Sequence, residues 1–144
     1  MKKNNNDIIS IIIPTFNNAK FIVKALKSII NQSYENWEAI VVDNNSADNT
    51  FKIVSNFNDT RIKYLKIENH GIIAKSRNLG IKVAKGEWIA FLDSDDWWTK
   101  NKLEVCVKNI SRNVDLIYHD LEIVYDEFSP YLQRKKNIGR QLKR

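Results

Sequence analysis

Short apolar runs and helical repeats alternate along most of the chain. Apolar runs at 8–13 and 38–42 predict buried strands, the first ended by Pro14. The run at 88–92, bounded by Gly86 and by acids, predicts a strand buried on both faces. Polar and apolar residues alternate over 61–67, which indicates a strand nearer an edge. The remaining elements are helices over about 18–31, around Phe51, Val54 and Phe57, over 71–84, and from Thr99 through Leu103, Cys106, Val107 and Ile110, followed by extended stretches at Leu116–Tyr118 and Glu122–Tyr125.

This alternation of strands and helices predicts an α/β fold. It implies a mostly parallel sheet with helices on both faces and right-handed crossovers. The chain has 144 residues, of which 43% are hydrophobic, and this is enough for one domain with a sizeable core. We expect the domain to cover residues 1–128, with its core at 8–110, and residues 129–144 to form a basic tail.

The net charge of +6 comes from the end of the chain. Without the six cations after residue 133, the chain carries 17 basic and 17 acidic side chains. A neutral body argues against a groove that follows a nucleic-acid backbone. The basic tail is a candidate for peripheral contact with an anionic membrane surface, although such charge runs are more often only solvated.

Cysteine content and the first residues indicate a cytoplasmic location. The single Cys106 excludes an internal disulfide, and its place on an apolar helix face indicates a buried, inert thiol. Residues 1–7 lack the apolar core of a signal peptide, and no apolar run is long enough to span a membrane.

Three polar clusters follow predicted strands, at Pro14–Asn17, Asp43–Ser46 and Asp93–Asp96. The carboxyl ends of parallel strands share one edge, so two clusters flank one crevice if the first and fourth strands are neighbours. Asp93 and Asp95 have the spacing to share one hard cation, Mg²⁺ or Mn²⁺. The alternative is that these acids form an ordinary turn in which Asp96 or Thr99 caps the next helix.

The composition of the three clusters suits a base, a ribose and a metal-bound diphosphate. The chain has only four glycines and contains neither G-x-G-x-x-G nor G-x-x-x-x-G-K-[ST]. Dinucleotide binding of the Rossmann type and P-loop chemistry are therefore disfavoured, and a metal would have to neutralise the diphosphate. Trp97 and Trp98 could border a sugar site, or one ring could pack beneath the fourth helix.

Four segments together resemble the family-2 glycosyltransferases with the GT-A fold, over roughly residues 8–110. These segments are Ser10–Asn17 (SIIIPTFN), Val41–Ser46 (VVDNNS), Arg77–Ile81 (RNLGI) and Gly86–Asp96 (GEWIAFLDSDD). The resemblance implies a Rossmann-like sheet of GT-A type. It also implies transfer of a sugar, with inversion, from a nucleotide-sugar donor that is usually UDP-linked to a saccharide or lipid-linked acceptor.

The resemblance also assigns site residues. The donor-binding residues it implies are Pro14, Thr15, Phe16, Asn17, Asp43, Asn44, Arg77, Asp93 and Ser94, and the metal ligands for Mn²⁺ or Mg²⁺ are Asp93 and Asp95. Asp95 is the expected direct ligand, and Phe16 is the candidate for stacking on the base. Asn44 replaces an acid that commonly receives the uracil N3–H in this family, and its carbonyl is still able to accept that bond.

The end of the chain departs from the family. Nothing after Asp96 matches the family's acidic catalytic base, and the chain is expected to be truncated before the acceptor half, with 129–144 as a tail or the start of that region. The carboxylates that follow, Asp120, Glu122, Asp126 and Glu127, are weak candidates for the base. Two alternatives stay open: a non-catalytic or truncated nucleotide-sugar-binding module, and a phosphate-accepting signalling domain of flavodoxin-like form.

Overall fold

The computed structural model describes residues 8–111 and 113–122 as four strands and four helices in strict alternation. The elements are β1 (Ile9–Thr15), α1 (Ala19–Ile30), β2 (Trp37–Asp43), α2 (Thr50–Ser55), β3 (Ile62–Lys66), α3 (Ile73–Val83), β4 (Trp88–Phe91) and α4 (Lys102–Asn109). The predicted α/β alternation is confirmed. Phe57 lies just beyond the end of α2, and α4 begins three residues later than the sequence predicts.

The four strands form one parallel sheet in the order β3-β2-β1-β4. The first strand is therefore central, and Ile12 lies beside Ile40 of β2 on one side and Phe91 of β4 on the other. The chain moves outward from β1 to β2 and β3, then returns to pair β4 on the opposite side of β1. This reversal is the topological switch at which open α/β sheets bind ligands.

Side chains of β1 alternate between two hydrophobic layers. Ile9, Ile11 and Ile13 pack with α1, α2 and α4 on one face of the sheet, while Ile12 packs with α3 on the other. Gly80 lets α3 approach closely, because a Cβ at this position would lie 2.5 Å from Cγ2 of Ile12. Helices cover both faces, as predicted, and the carboxyl ends of all four strands point to one edge.

Two predictions about strands are wrong. Pro14 does not end β1, which continues to Thr15. Even-numbered residues of β1 face β4, since Leu92 N–H donates to the carbonyl of Ile12, so the missing N–H of Pro14 falls beyond the last β4 pair. β4 is not buried on both faces, because it lies at the edge of the described sheet and Phe91 is about half exposed.

The region after α4 also differs from the prediction. Leu116–Tyr118 forms no strand, and the side chains of Leu116 and Tyr118 are 79% and 85% exposed. An apolar run becomes a strand only where another strand offers hydrogen-bond partners, and no strand of the described residues pairs with it. Of the other predicted stretch, Glu122–Tyr125, all but Glu122 lies outside the described residues, as do Asp126, Glu127 and the tail at 129–144. No helix within 8–111 or 113–122 has the length and apolarity needed to cross a bilayer.

A buried carboxylate ties together the opposite, amino edge of the sheet. Glu38 accepts hydrogen bonds from Ser10 Oγ at 2.7 Å, Lys63 Nζ at 2.7 Å and the N–H of Lys85 at 2.6 Å, and Ser10 Oγ in turn accepts the N–H of Gly86. Burial raises the pKa of Glu38, but these bonds and the Lys63 charge outweigh it, so the pKa lies below its usual value. We name these five residues the amino-edge cluster; it fixes the turn into β4.

Candidate functional site at the carboxyl edge

Hydrogen bonds join the loop after β1 to the loop after β2. Asn17 adopts a left-handed conformation, with φ of 48°, and its N–H donates to Ser46 Oγ at 2.8 Å. Its side-chain carbonyl accepts the N–H of Ala47 at 2.8 Å, and Asp48 accepts the N–H of Ala19. Asparagine tolerates this conformation better than most residues. These hydrogen bonds hold the loop that carries Phe16, and 57% of the surface of Phe16 is exposed at the edge of the sheet.

Asp43 lies beneath these loops and is completely buried. Its Oδ1 accepts both the N–H of Ser46, at 2.9 Å, and the Ser46 hydroxyl, at 2.5 Å, while its Oδ2 accepts the hydroxyl of Tyr64. Burial, and then the bond to Asp43, raises the pKa of Tyr64 far above its usual value, so this hydroxyl remains protonated and donating. Asp43 thus shapes the loop from below, and sequence reasoning missed its partner Tyr64.

Asn44 lies beside this pair at the surface of the edge. Its N–H donates to the carbonyl of Thr15 at 2.9 Å, and its Oδ1 accepts the N–H of Asn69 at 2.8 Å. Asn69 is buried, donates from Nδ2 to Ser76 Oγ at 2.8 Å, and accepts the N–H of Gly71. Asn69 and Ser76 were not singled out from the sequence. The available signal was Asn-His-Gly at 69–71, a tight turn that contains two positive φ angles.

The segment that follows β4, Asp93–Asp96, carries three carboxylates and Ser94, and we name it the acidic loop. Arg77 of α3 donates from Nη2 to Asp93 Oδ1 at 2.8 Å, and its guanidinium lies 5.7 Å from the ring centroid of Phe91. The Nε of Arg77 is buried and carries no hydrogen bond within the described part of the chain. Asn18 donates from Nδ2 to the buried Ser94 at 2.6 Å, which ties the start of α1 to the acidic loop. The structure therefore brings the first and third polar clusters, after β1 and β4, together across the switch point.

The acidic loop carries an excess of negative charge. Asp95 and Asp96 are exposed, and Asp93 is paired with Arg77 while 47% of its side chain remains exposed. Partial desolvation of its carboxyl group, followed by the charges of Asp95 and Asp93, raises the pKa of Asp96. Neither Asp96 nor Thr99 caps α4, whose first turn follows Asn101, so the explanation of these acids as a helix cap is wrong.

The donor set of the acidic loop fits a hard cation held in part by a ligand. Within the described residues, no group of three or more His, Cys, Asp or Glu side chains is arranged to hold a metal alone. Asp93 and Asp95 supply two carboxylates, and Mg²⁺ or Mn²⁺ in such surroundings commonly completes its shell with water and substrate phosphates. The residues present therefore suit a metal that binds together with an anionic ligand.

The two adjacent tryptophans separate. Trp98 packs against the main core, and its backbone N–H donates to Ser28 Oγ of α1 at 3.1 Å. Nζ of Lys102, at the start of α4, lies 6.0 Å from the Trp98 ring centroid. One ring of the pair therefore packs in the core, as the second alternative expected. Trp97 is 39% exposed, with Lys24 Nζ 2.9 Å from its ring centroid. Asp120 and Glu122 are exposed and lie outside any helix or strand.

Comparisons with known proteins agree with this architecture. The chain is 42% identical over 118 residues to a UDP-Glc:α-D-GlcNAc-diphosphoundecaprenol β-1,3-glucosyltransferase, WfgD, of Escherichia coli, covering 81% of this chain and 47% of that protein. It is 36% identical over 135 residues to the glycosyltransferase GlyG of Streptococcus pneumoniae, covering 92% of this chain and 43% of that protein. The chain thus spans about half the length of these relatives.

Solved structures give the same result. The chain resembles TarS (1–349) of S. aureus in complex with UDP-GlcNAc, with a TM-score of 0.67 and 36% identity over 69% of this chain and 30% of that one. It also resembles the mannosyltransferase PcManGT of Pyrobaculum calidifontis, solved with GDP-Man and Mn²⁺, with a TM-score of 0.64 and 30% identity over 69% of this chain and 31% of that one. Residues 10–144 match the family described as glycosyl transferase family 2. The chain belongs to glycosyl transferase family 2, and its sheet is of the GT-A type.

Proposed function

We propose that the protein is a metal-dependent, inverting glycosyltransferase. It takes a sugar from a UDP-linked donor and passes it to a saccharide or lipid-linked acceptor during synthesis of a cell-surface polysaccharide or glycoconjugate. The observation that carries this proposal is the junction of the acidic loop with the β1 loop across the switch between β1 and β4. The relatives support it, since one is named for a UDP-glucose donor and a diphosphoundecaprenol-linked acceptor.

Different residues of the carboxyl edge would contact different parts of the nucleotide-sugar donor. Phe16 presents an exposed ring to the base, and Asn44 presents a fixed amide beside it. Pro14, Thr15 and Asn17 form the loop beneath the base, and Asp43 supports the neighbouring loop from below. An aromatic ring beside a few placed polar groups is the kind of lining that small-molecule sites have.

The diphosphate end is formed by the acidic loop and α3. Asp93 and Asp95 would hold Mn²⁺ or Mg²⁺, which supplies positive charge to the diphosphate and so stabilises it as a leaving group. Arg77 keeps Asp93 in place through its bond at 2.8 Å and brings a second positive charge to the same region. Ser94, buried and bonded to Asn18, holds the loop between the two carboxylates against the start of α1.

The proposal for the whole protein also includes binding of the acceptor. Inverting transfer needs a base to deprotonate the acceptor hydroxyl, and we assign that role to none of the described residues. We place the nucleotide-sugar-binding domain at residues 1–128 and its core at 8–110. We further propose a cytoplasmic protein whose basic segment at 129–144 contacts the inner membrane face, where a lipid-linked acceptor would be presented.

Calorimetric titration of the purified chain with UDP tests the donor site. We expect binding in Mn²⁺ or Mg²⁺ and a large loss of affinity in EDTA, because the chain has no glycine-rich phosphate loop. Equal affinity with and without metal would contradict the proposal. Binding of Mg²⁺ with no preference for UDP over other nucleotides would favour the signalling-domain alternative. Incubation with UDP-sugars and acceptors then separates a transferase from a binding module, since only the former releases UDP as acceptor is consumed.

A further inference from the structure

The orientation of the Asn44 amide is fixed by a backbone group. The N–H of Asn69 can only donate, so the atom of Asn44 that lies 2.8 Å from it must be the carbonyl oxygen. Asn69 is 5% exposed and is itself held by Ser76 and by the N–H of Gly71. Because these bonds hold Asn69 in place, its N–H keeps the side-chain carbonyl of Asn44 turned towards the protein.

The other end of the same amide is the part left for a ligand. Among the described residues, Nδ2 of Asn44 has no hydrogen-bond partner, and the residue is only half-buried. Its backbone N–H donates to the carbonyl of Thr15, the residue before the exposed ring of Phe16. A flat ring and a pair of N–H donors therefore lie next to each other at the edge of the sheet.

We propose that Asn44 is a specificity residue that reads the base by donating from Nδ2 to a carbonyl oxygen. With a UDP-linked donor the acceptor is O4 or O2 of uracil. This differs from acceptance of the uracil N3–H, for which the Asn44 oxygen would have to take a second hydrogen bond on the side that faces Asn69. The inference rests on the proposed function, because it concerns the base subsite of the same donor site.

Exchanging Asn44 for aspartate separates the two arrangements. In Asn44→Asp one carboxylate oxygen continues to accept the Asn69 N–H, and the other replaces the donating nitrogen with an acceptor. Two acceptors that face each other repel, so we expect UDP to bind about tenfold more weakly in Mn²⁺ than it binds the control variant. The control is Asn45→Asp, which adds the same charge one residue away at an exposed position whose φ of 55° an aspartate tolerates.

A second measurement uses the unaltered chain and needs no folded variant. Sulfur accepts hydrogen bonds poorly, so replacing the contacted oxygen in 4-thio-UDP or 2-thio-UDP should weaken binding severalfold relative to UDP. In Asn44→Ala the same replacement should make no difference. Equal affinity of the native chain for UDP and for both thio analogues would overturn the inference.

The outcomes also distinguish this inference from the proposed function. Tighter binding of UDP by Asn44→Asp would overturn the inference alone, since it would show that position 44 receives N3–H. Failure of the native chain to bind UDP in Mn²⁺ would overturn the proposed function together with it. Weaker binding by Asn44→Asp, combined with sensitivity to one thio position that Asn44→Ala removes, would support both.

Discussion

Both edges of the sheet carry carboxylates, but the two edges use them differently. At the amino edge, both oxygens of Glu38 are bonded, and its side chain is 9% exposed. At the carboxyl edge, Asp93 is 47% exposed, and Asp95 and Asp96 are open to solvent. Buried polar atoms that have no hydrogen-bond partner among the described residues differ as well. At the amino edge this is the neutral indole nitrogen of Trp37, whereas at the carboxyl edge it is Nε of Arg77 and the hydroxyl of Thr15.

The difference teaches which polar groups hold the fold and which are available to a ligand. Asp43 makes the distinction sharper, because it lies at the carboxyl edge yet has all of its oxygens bonded and is fully buried. Position at the carboxyl end of a strand therefore does not by itself leave a carboxylate open to solvent. A carboxylate that is both at this edge and open, such as Asp95, is the one expected to bind a cation.

The largest expected effect is on the open carboxylates. We predict that Asp95→Asn weakens UDP binding in Mn²⁺ about 100-fold, since losing a direct ligand should match the upper range seen for loss of a ligand's outer partners. Stability should not fall, because Asp95 is exposed. Calorimetry in Mn²⁺ and in EDTA measures the effect, and the variant should match the native chain in EDTA.

Two matched variants define what would contradict this prediction. Asp115→Asn removes an exposed carboxylate from outside the candidate site and should leave UDP affinity unchanged. Asp96→Asn should weaken binding less than Asp95→Asn. If all three variants lost the same affinity, the effect would be one of general charge rather than of a metal ligand.

The second prediction concerns the paired carboxylate at the same edge. Tyr64→Phe keeps the ring, which packs at 5.0 Å from Phe51, but removes the hydroxyl that donates to Asp43. A buried carboxylate then has one oxygen without a donor, so we expect a loss of about 2 kcal/mol in the free energy of unfolding, measured in urea. Tyr118→Phe, at an 85% exposed position, should cost nothing. Equal stability of the two variants would show that Asp43 does not depend on Tyr64.

The sequence carried enough information for the layout of the sheet. Strand and helix periodicity is local, so the order of the elements from β1 to α4, the edge position of the alternating β3 and the shared edge of the polar clusters could all be predicted and are confirmed. Adjacency of β1 and β4 was only a condition in that prediction. The structure satisfies it through the pairing of Ile9–Ile12 with Trp88–Phe91.

Other features could not be predicted because they depend on partners far apart in the chain. Asn44 meets Asn69 across 25 residues, and Tyr64 meets Asp43 across 21, and no local pattern specifies such pairs. The same limit explains the errors over Pro14 and Leu116–Tyr118. An apolar run or a proline describes one strand, whereas pairing depends on what lies beside it. Roles for the site residues stay predictions until binding is measured.

A third, smaller effect is expected at the amino edge. Glu38→Gln retains the shape of the side chain but places an amide against Lys63 instead of a carboxylate, so we predict a loss of about 1 kcal/mol of unfolding free energy near neutral pH. UDP affinity should be unchanged, because the amino-edge cluster lies at the far end of the strands from the candidate site. Glu87→Gln, at an exposed position, is the matched control and should leave stability unchanged. Loss of UDP binding in Glu38→Gln would contradict the separation of the two edges.

The last prediction concerns how the difference in unfolding free energy between the native chain and Glu38→Gln depends on pH. The pKa of Glu38 is lower in the folded chain than its usual value of about 4.3, so the unfolded chain takes up the proton first as the solution is acidified. The stabilisation is therefore fully present above about pH 5 and is lost as the pH falls through the folded pKa, which lies below the usual value. Asp48 and Asp59 also have lowered pKa values, so the native chain and the variant should both weaken in acid. The unfolding free energies of the native chain and of Glu38→Gln are therefore measured in urea at each pH and subtracted, which cancels the loss that both chains share. The difference between their unfolding free energies should hold steady from about pH 7 to about pH 5 and should close as the pH falls below the usual pKa of about 4.3. A gap that persists or widens in acid would show that Glu38 is not held as a carboxylate by Lys63, Lys85 and Ser10.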